Sequence, residues 1–295
     1  MKLLHPKYWP TWMAIFLLRA ISLLPHSIMM KIGSSIGSLL YKVMDKRRHV
    51  AETNLKLCFP TLTKNDIAQL TNEHFQMLGK ALMDVAIAWW WSDKRINQLN
   101  IQVYGLEKLT IDNTATIFLT AHFSSLELSA RLLGRYAKTL AMYRPHENAV
   151  IQYHYEKYRS QYSEGILAKQ DVRQTISALK SKKGVWFAPD QNFKGKGFIY
   201  STFFCVPAAT NTATSRFAKL GDAIIQPFAL FSKDNGYELH FEKPLQEVNE
   251  VNIESETQMI NNQYEKWIIE HIPQYNWIHK RFKDQPNGQS PYLTS

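Results

Sequence analysis

Residues 116–135, TIFLTAHFSSLELSARLLGR, constrain the fold more than any other stretch of the chain. The apolar run Ile117-Phe118-Leu119 has the length and content of a buried strand. It ends in Thr120-Ala121-His122. Polar residues then open an apolar helical pattern at Leu126, Ala130 and Leu133, with Glu127 in its first turn. A strand passing through a short turn into a helix is the unit of α/β folds, whose ligands sit outside the carboxyl ends of the strands. His122 falls at such an end.

Four residues separate His122 from Glu127. On one helix the two side chains would diverge by about 140°. Contact requires His122 to precede the helix and Glu127 to lie in its first turn. Glu127 then accepts a hydrogen bond from one imidazole nitrogen and leaves the other free as a general base. This is triad logic with the nucleophile missing, so the attacking group belongs to a substrate, most simply a hydroxyl. A second reading stands beside it. Ser124-Ser125-Leu126-Glu127 also fits a capping box, in which Glu127 serves only the backbone.

The amino terminus carries a different signal. Residues 12–24, WMAIFLLRAISLL, are strongly apolar but only 13 long, contain Arg19 and stop at Pro25. An independent spanning helix needs about 20 residues, and no small-x-small cleavage site follows. A second apolar segment, 28–44, carries Gly33, Ser34, Gly37 and Ser38 at four-residue steps, which permits close helix packing. The basic run Lys46-Arg47-Arg48 comes next, and Trp9 and Trp12 flank the other end. Aromatic anchors with cationic flanks suit a helical hairpin in one leaflet, or one tilted span, with the basic end cytoplasmic. The alternative is an amphipathic helix pair on a soluble core. We take residues 1–44 as a membrane anchor and 45–295 as a catalytic domain.

Thr63 and Asp66 predict a helix start, and apolar residues from Ile67 to Val85 keep helical spacing up to Trp89-Trp90-Trp91. Three consecutive tryptophans cannot all face one core. From about residue 100 short strands and helices alternate, giving an α/β fold with a mixed central sheet. Strands are expected at 139–142, 165–168, 185–188, 224–230 and 237–241. A helix carries Tyr155, Tyr158 and Arg159, and the last helix spans about 256–271. Asp190 follows a strand end, where it is either a site carboxylate or a turn residue after Pro189. Phe193 to Gly197 is a basic, glycine-containing loop, a weak anion signal. Phe203 to Thr212 either lines an apolar acyl slot or packs before a helix. The basic, aromatic segment 277–283 either meets an anionic surface or is a solvated tail.

The net charge is +10 and the pI about 9.4. That balance favours anionic lipid, acidic protein or nucleic acid as partners, but no nucleic-acid motif accompanies it. Cys58 and Cys205 have no metal-like spacing and imply a reducing compartment or core packing. No HExxH-like zinc spacing occurs.

In their order these pieces resemble the late acyltransferases of lipid A biosynthesis, the lauroyl/myristoyl transferases, within the lysophospholipid acyltransferase superfamily. The correspondence runs nearly the whole chain. It rests on His122-Phe-Ser-Ser-Leu-Glu127, on Tyr143-Arg144-Pro145 with Asn148 and Arg159, on Ala188-Pro189-Asp190-Gln191, on Val206-Pro207-Ala208-Ala209-Thr210, and on Trp277-Ile-His-Lys-Arg-Phe-Lys283. Relatives often carry Gly-Asn-Trp after His-Phe, where this chain has Ser124-Ser125-Leu126. The resemblance implies a glycerol-phosphate-acyltransferase-like fold on the cytoplasmic side of the bacterial inner membrane. It implies an acyl-acyl carrier protein donor and a Kdo-bearing lipid A precursor as acceptor, with neither metal nor cofactor. His122 would be the base and Glu127 its support. Arg159, or the backbone amides of 123–125, would meet the oxyanion, and Arg144, Asn148 and Asp190 would position substrate or brace the pair. Three rivals remain: transfer to a glycerophospholipid, hydrolysis by the same base, and a non-catalytic lipid-binding protein on the same fold.

Overall fold

The computed structural model describes residues 2–110, 113–245 and 252–292. Four helices come first: α1 (Trp9–Ile21), α2 (His26–Val43), α3 (Asp45–Cys58) and the long α4 (Lys64–Trp90), followed by the short α5 (Asp93–Ile96). The body then runs β1 (Ile101–Tyr104), β2 (Ala115–Leu119), α6 (Leu126–Leu133), β3 (Thr139–Tyr143), α7 (Ala149–Arg159), β4 (Gly165–Ala168), α8 (Val172–Lys180) and β5 (Gly184–Phe187). It continues with β6 (Phe198–Phe203), β7 (Val206–Asn211), α9 (Ala213–Gly221), β8 (Ala223–Lys233), β9 (Gly236–Phe241) and α10 (Ile253–Glu270).

Seven strands form one sheet in the order β1-β9-β8-β2-β5-β3-β4. All neighbours are parallel except β8 and β9, joined by a tight turn at the Asn235-Gly236 signal. The sheet is therefore mixed, as expected, and each βα connection returns the chain to its amino-terminal edge. The central strands β2 and β5 are buried along their whole length, which explains their unbroken apolar runs. Three strands, β1, β6 and β7, are not among those expected. Residues 206–211 form β7, which pairs with β6 as a separate hairpin. Phe203 and Ala208 pack into the core there.

Helix α4 is the spine that the amino-terminal helices pack on. Its start is the Thr63/Asp66 capping box, with both reciprocal bonds made. The small-residue stripe of α2 crosses it: a Cβ on Gly79 would collide with the Gly33 carbonyl oxygen, and one on Gly37 with that of Phe75. Only glycine lets the two backbones approach this closely. At the other end of α4 the three tryptophans point three ways, and each indole N–H is used. Trp89 donates to Glu127 at 3.2 Å, Trp90 to Tyr158 at 2.8 Å and Trp91 to the Ser22 carbonyl at 2.7 Å. The last carbonyls of α4 need partners, and Arg131 of α6 supplies them, reaching Ala88 at 2.7 Å and Ile87 at 3.2 Å.

Segment 277–283 is neither a solvated tail nor a surface patch. Trp277, Arg281 and Phe282 are buried. Asn54 of α3 holds the carbonyls of Trp277 and His279. Arg281 donates to Ala209 and Thr210 in β7. The segment straps the hairpin and α3 to the sheet.

Candidate active site

Sheet register builds the site. β2 and β5 are parallel neighbours with Leu119 opposite Phe187. His122 and Asp190 each lie three residues beyond those partners, so the two strand exits deliver them side by side. The His122 Nδ1–H donates to Asp190 Oδ1 at 2.6 Å. Phe123 is pinned among Phe231, Trp267 and Tyr275, and the Ser124 amide donates to the Gln274 carbonyl at 2.8 Å. The strap after α10 thus fixes the turn that carries His122.

Asp190 is buried, and the His122 side chain is 30% exposed. Burial alone would lower the histidine. The charge of Asp190 and its hydrogen bond outweigh that and leave His122 above its ordinary value, with Arg159 opposing. Asp190, which burial would raise, is held below the usual carboxylate range by the same pair. With Nδ1 committed, Nε2 is the free basic atom.

Glu127 does not do what the spacing predicts. Among the described residues no hydrogen bond joins it to His122. Arg159 Nη2 donates to its Oε2 at 2.6 Å, and Arg159 Nε reaches both oxygens at 3.2 Å. Tyr162 Oη donates to Oε1 at 2.6 Å and Trp89 Nε1 at 3.2 Å. The first turn of α6 points Glu127 between α4 and α7, while β5 brings a nearer carboxylate to the imidazole. The capping-box reading fails as well: α6 begins at Leu126 with Ser125, not Ser124, as its cap residue, so Glu127 falls one position short of the box, and its oxygens are spent on side chains. Burial would raise Glu127; the Arg159 charge and these hydrogen bonds keep it ionised and low.

The other expected residues divide. Arg159 is at the site, but two of its nitrogens are committed to Glu127, and its guanidinium lies over Tyr155 (4.7 Å) and Trp186 (5.1 Å). The backbone amides of Phe123 and Ser124 are also taken, by the Ala121 and Gln274 carbonyls. Asn148 caps α7, accepting from Val150 and Ile151, and donates to Thr11 of α1 at 2.9 Å. It therefore stands at the far end of α7 from Arg159, about 16 Å along the axis at 1.5 Å per residue. Arg144 is exposed on the loop before α7.

His279 joins the site without having been singled out. Its Nε2 accepts the Asn192 N–H at 3.0 Å, just past Asp190. Burial pushes it down to about 4, Asp190 opposing, so it is neutral. Its only signal in the sequence was membership of the Trp277–Lys283 block. Tyr162 had none.

The geometry thus sets a histidine against a buried carboxylate at the carboxyl edge of a mixed α/β sheet, an arrangement able to serve as a general base. The family model for bacterial lipid A biosynthesis acyltransferases matches residues 1–284. The lipid A biosynthesis palmitoleoyltransferase of Escherichia coli (strain K12) is 32% identical over 293 residues, 97% of this chain and 95% of the relative. The lipid A biosynthesis lauroyltransferase of the same strain is 31% identical over 292 residues, with the same coverage. A solved 1-acyl-sn-glycerophosphate acyltransferase from Thermotoga maritima superposes with a TM-score of 0.43 at 11% identity, over 83% of this chain and 97% of that one. The chain belongs to the bacterial lipid A biosynthesis acyltransferase family, and it is an acyltransferase.

Proposed function

We propose that this enzyme moves a fatty acyl chain from acyl carrier protein to the hydroxyl of a hydroxyacyl chain on a Kdo-bearing lipid A precursor. The observation that carries the reading is the His122–Asp190 pair at 2.6 Å with Nε2 uncommitted. Among the described residues no Ser, Thr or Cys hydrogen-bonds His122, so the acceptor hydroxyl itself is the nucleophile. His122 Nε2 takes the hydroxyl proton as the oxygen attacks the thioester carbonyl. Asp190 holds the tautomer and stabilises the imidazolium. The tetrahedral oxyanion collapses, the C–S bond breaks, and the thiolate leaves with the proton returned from His122. No acyl-enzyme forms. Arg159, fixed by Glu127, supplies positive charge at the edge of the site. Glu127 serves catalysis by holding that guanidinium.

Residues 1–44 act as a membrane-facing segment, and 45–295 as the catalytic body at the cytoplasmic face of the inner membrane. Among the described residues no helix is long and apolar enough to cross a membrane. Helix α1 instead exposes one stripe, Trp9 (64%), Met13 (63%), Phe16 (72%) and Leu17 (54%), at helical spacing suited to lying within one leaflet. The donor's acidic protein and the acceptor's phosphates and carboxylates match a chain of net charge +10.

The test is a mass-spectrometric acyl-transfer assay with acyl-acyl carrier protein and a Kdo-bearing lipid A precursor. The expected result is one added acyl mass for wild type and none above background for His122→Ala. Absence of product from folded wild type would refute the acceptor assignment, and transfer to a lysophospholipid in the same assay would replace it. Trp9→Ser with Phe16→Ser should move the protein from anionic vesicles toward the supernatant; unchanged sedimentation would refute the leaflet placement.

A further inference from the structure

Asp84 is a buried carboxylate that this scheme does not use. It stands in α4, only 2% exposed. Its Oδ2 accepts from Ser125 Oγ at 2.7 Å and its Oδ1 from Tyr237 Oη at 2.5 Å. Tyr237, in β9, lies 3.0 Å from His26 Nε2 at the start of α2. The tyrosine proton goes to Asp84, so the imidazole donates to the tyrosine oxygen. Four elements of the fold are joined through one carboxylate: α2, β9, α4 and the turn before α6.

Burial pushes Asp84 up to about 6, against its two hydrogen bonds and the charge of Lys80 one turn earlier on α4. A buried acid is costly where an apolar side chain would pack. What it does locally is specific. Ser125 occupies the position before α6, where a serine ordinarily turns its hydroxyl onto the helix amides. Here the hydroxyl is turned toward Asp84, to which it donates, and its oxygen accepts no helix amide. Ser125 lies three residues after His122 and two before Glu127. Two other ties join α4 to α6, from Trp89 to Glu127 and from Arg131 to the Ile87 and Ala88 carbonyls. Asp84 supplies the tie that falls between the base and Glu127.

We propose that Asp84 is a positioning residue for the transfer reaction: through the Ser125 hydroxyl it fixes the His122–Glu127 segment against α4, and through Tyr237 and His26 it joins that segment to the amino-terminal helices. The kinetic consequence rests on the transferase reading above; the structural one does not. The other end of this hydrogen-bonded series, His26, opens α2 in the amino-terminal segment, flanked in sequence by the exposed Leu23 and Ile28. Seating of the amino-terminal helices and geometry of the base are thereby linked by hydrogen bonds.

The experiment compares Asp84→Asn, Ser125→Ala, Ser125→Thr and the Asp84→Asn/Ser125→Ala double variant in the full-length protein. Asn keeps the size and shape at position 84, but its amide nitrogen cannot accept a hydroxyl proton, so the two-hydroxyl acceptor site for Ser125 and Tyr237 is lost with little change in packing. Hydrogen–deuterium exchange of the 122–128 amides is read on the resting protein, and kcat and KM are read in the transfer assay. Asp84→Asn and Ser125→Ala should each speed exchange of that segment and lower kcat about tenfold or more, with KM little changed. Ser125→Thr, which keeps the hydroxyl, should recover both. The double variant should be no worse than the worse single one, since both break the same bond. Unchanged exchange in Asp84→Asn, or kcat losses that multiply, would overturn the proposal. Should wild type transfer no acyl group, the function assigned above falls, while exchange still decides whether Asp84 positions the segment.

Discussion

Two carboxylates reach the site, and they are held in opposite ways. Asp190 makes its short charge-assisted hydrogen bond to a histidine whose outer nitrogen is open. Glu127 meets Arg159, Tyr162 and Trp89 together, with Arg159 bonded through two nitrogens. The first arrangement can change its proton count within a reaction cycle; the second is built to keep its charges where they are. A motif that pairs a histidine with an acid four residues on suggests one dyad. The structure instead holds two separate pairs, His122 with Asp190 on the β2–β5 exits and Glu127 with Arg159 between α6 and α7.

The largest effects should separate these two pairs. His122→Ala removes the base and should cost about a hundredfold to ten-thousandfold in kcat. It leaves buried Asp190 without its histidine partner, but that carboxylate can take up a proton, so the melting temperature should fall less than in Glu127→Ala. Glu127→Ala should abolish activity too, but by leaving Arg159 buried and unpaired. Breaking a buried pair this way costs about 3–5 kcal/mol of stability. Activity and thermal melts on both variants test the division. A Glu127→Ala protein as stable as His122→Ala would break it and return Glu127 to the chemistry.

Asp190→Asn is the next step down, and pH is its measure. His122 must be neutral to act as a base. Its value lies above the ordinary 6.5 because of Asp190, so the acid limb of the wild-type rate profile should lie above 6.5. Without the Asp190 charge burial is unopposed, and the limb should move below 6.5 while kcat falls about a hundredfold or more. Stability follows the same linkage. A histidine raised on folding adds stability that is fully present below 6.5 and is lost as pH rises through its folded value. An aspartate lowered on folding adds stability that is present above 3.8 and is lost as pH falls through its folded value. The variant should therefore lose most melting temperature near pH 5–6 and least well above the His122 value. A limb that stays in place would mean that Asp190 is not the residue setting the base.

Much of the fold was legible because local patterns and tertiary demands coincide. The strand-turn-helix at 116–135, the Thr63/Asp66 cap and the Asn235-Gly236 turn all lie where apolar period and turn chemistry put them. The glycine stripe of α2 was legible as close packing, though its partner Gly79 was not. The β6–β7 hairpin was obscured by Pro207 and small residues, which read as packing before a helix. At the site, His122 and Asp190 were both visible as strand-exit residues, but their pairing was not. It depends on β2 and β5 being neighbours in register, and sheet order is not written in either strand. The misplaced contact of Glu127 has the same origin. Spacing along one turn shows which side chains can meet, whereas the choice among Arg159, Tyr162 and Asp190 is made by α7 and β5. Arg281 and Trp277 looked like surface chemistry because the sequence there is basic; their burial comes from Asn54 and β7, which are remote in the chain.

The smallest effect is the sharpest test of how redundant the Glu127 side is. Tyr162→Phe removes one hydrogen bond of 2.6 Å to Oε1 and keeps the ring. A hydrogen bond to a charged acceptor is worth about 1.5–3 kcal/mol, and Trp89 and Arg159 still contact the same oxygen. The melting temperature should fall modestly, and kcat should stay within about threefold, because no reacting atom loses a partner. The opposite pattern, an unchanged melt with a kcat loss above about tenfold, would place the Tyr162 hydroxyl in the reaction. The Glu127 cluster would then be a proton-bearing site in its own right, and the contrast with Asp190 would become one of access to substrate instead of one between a moving and a fixed charge.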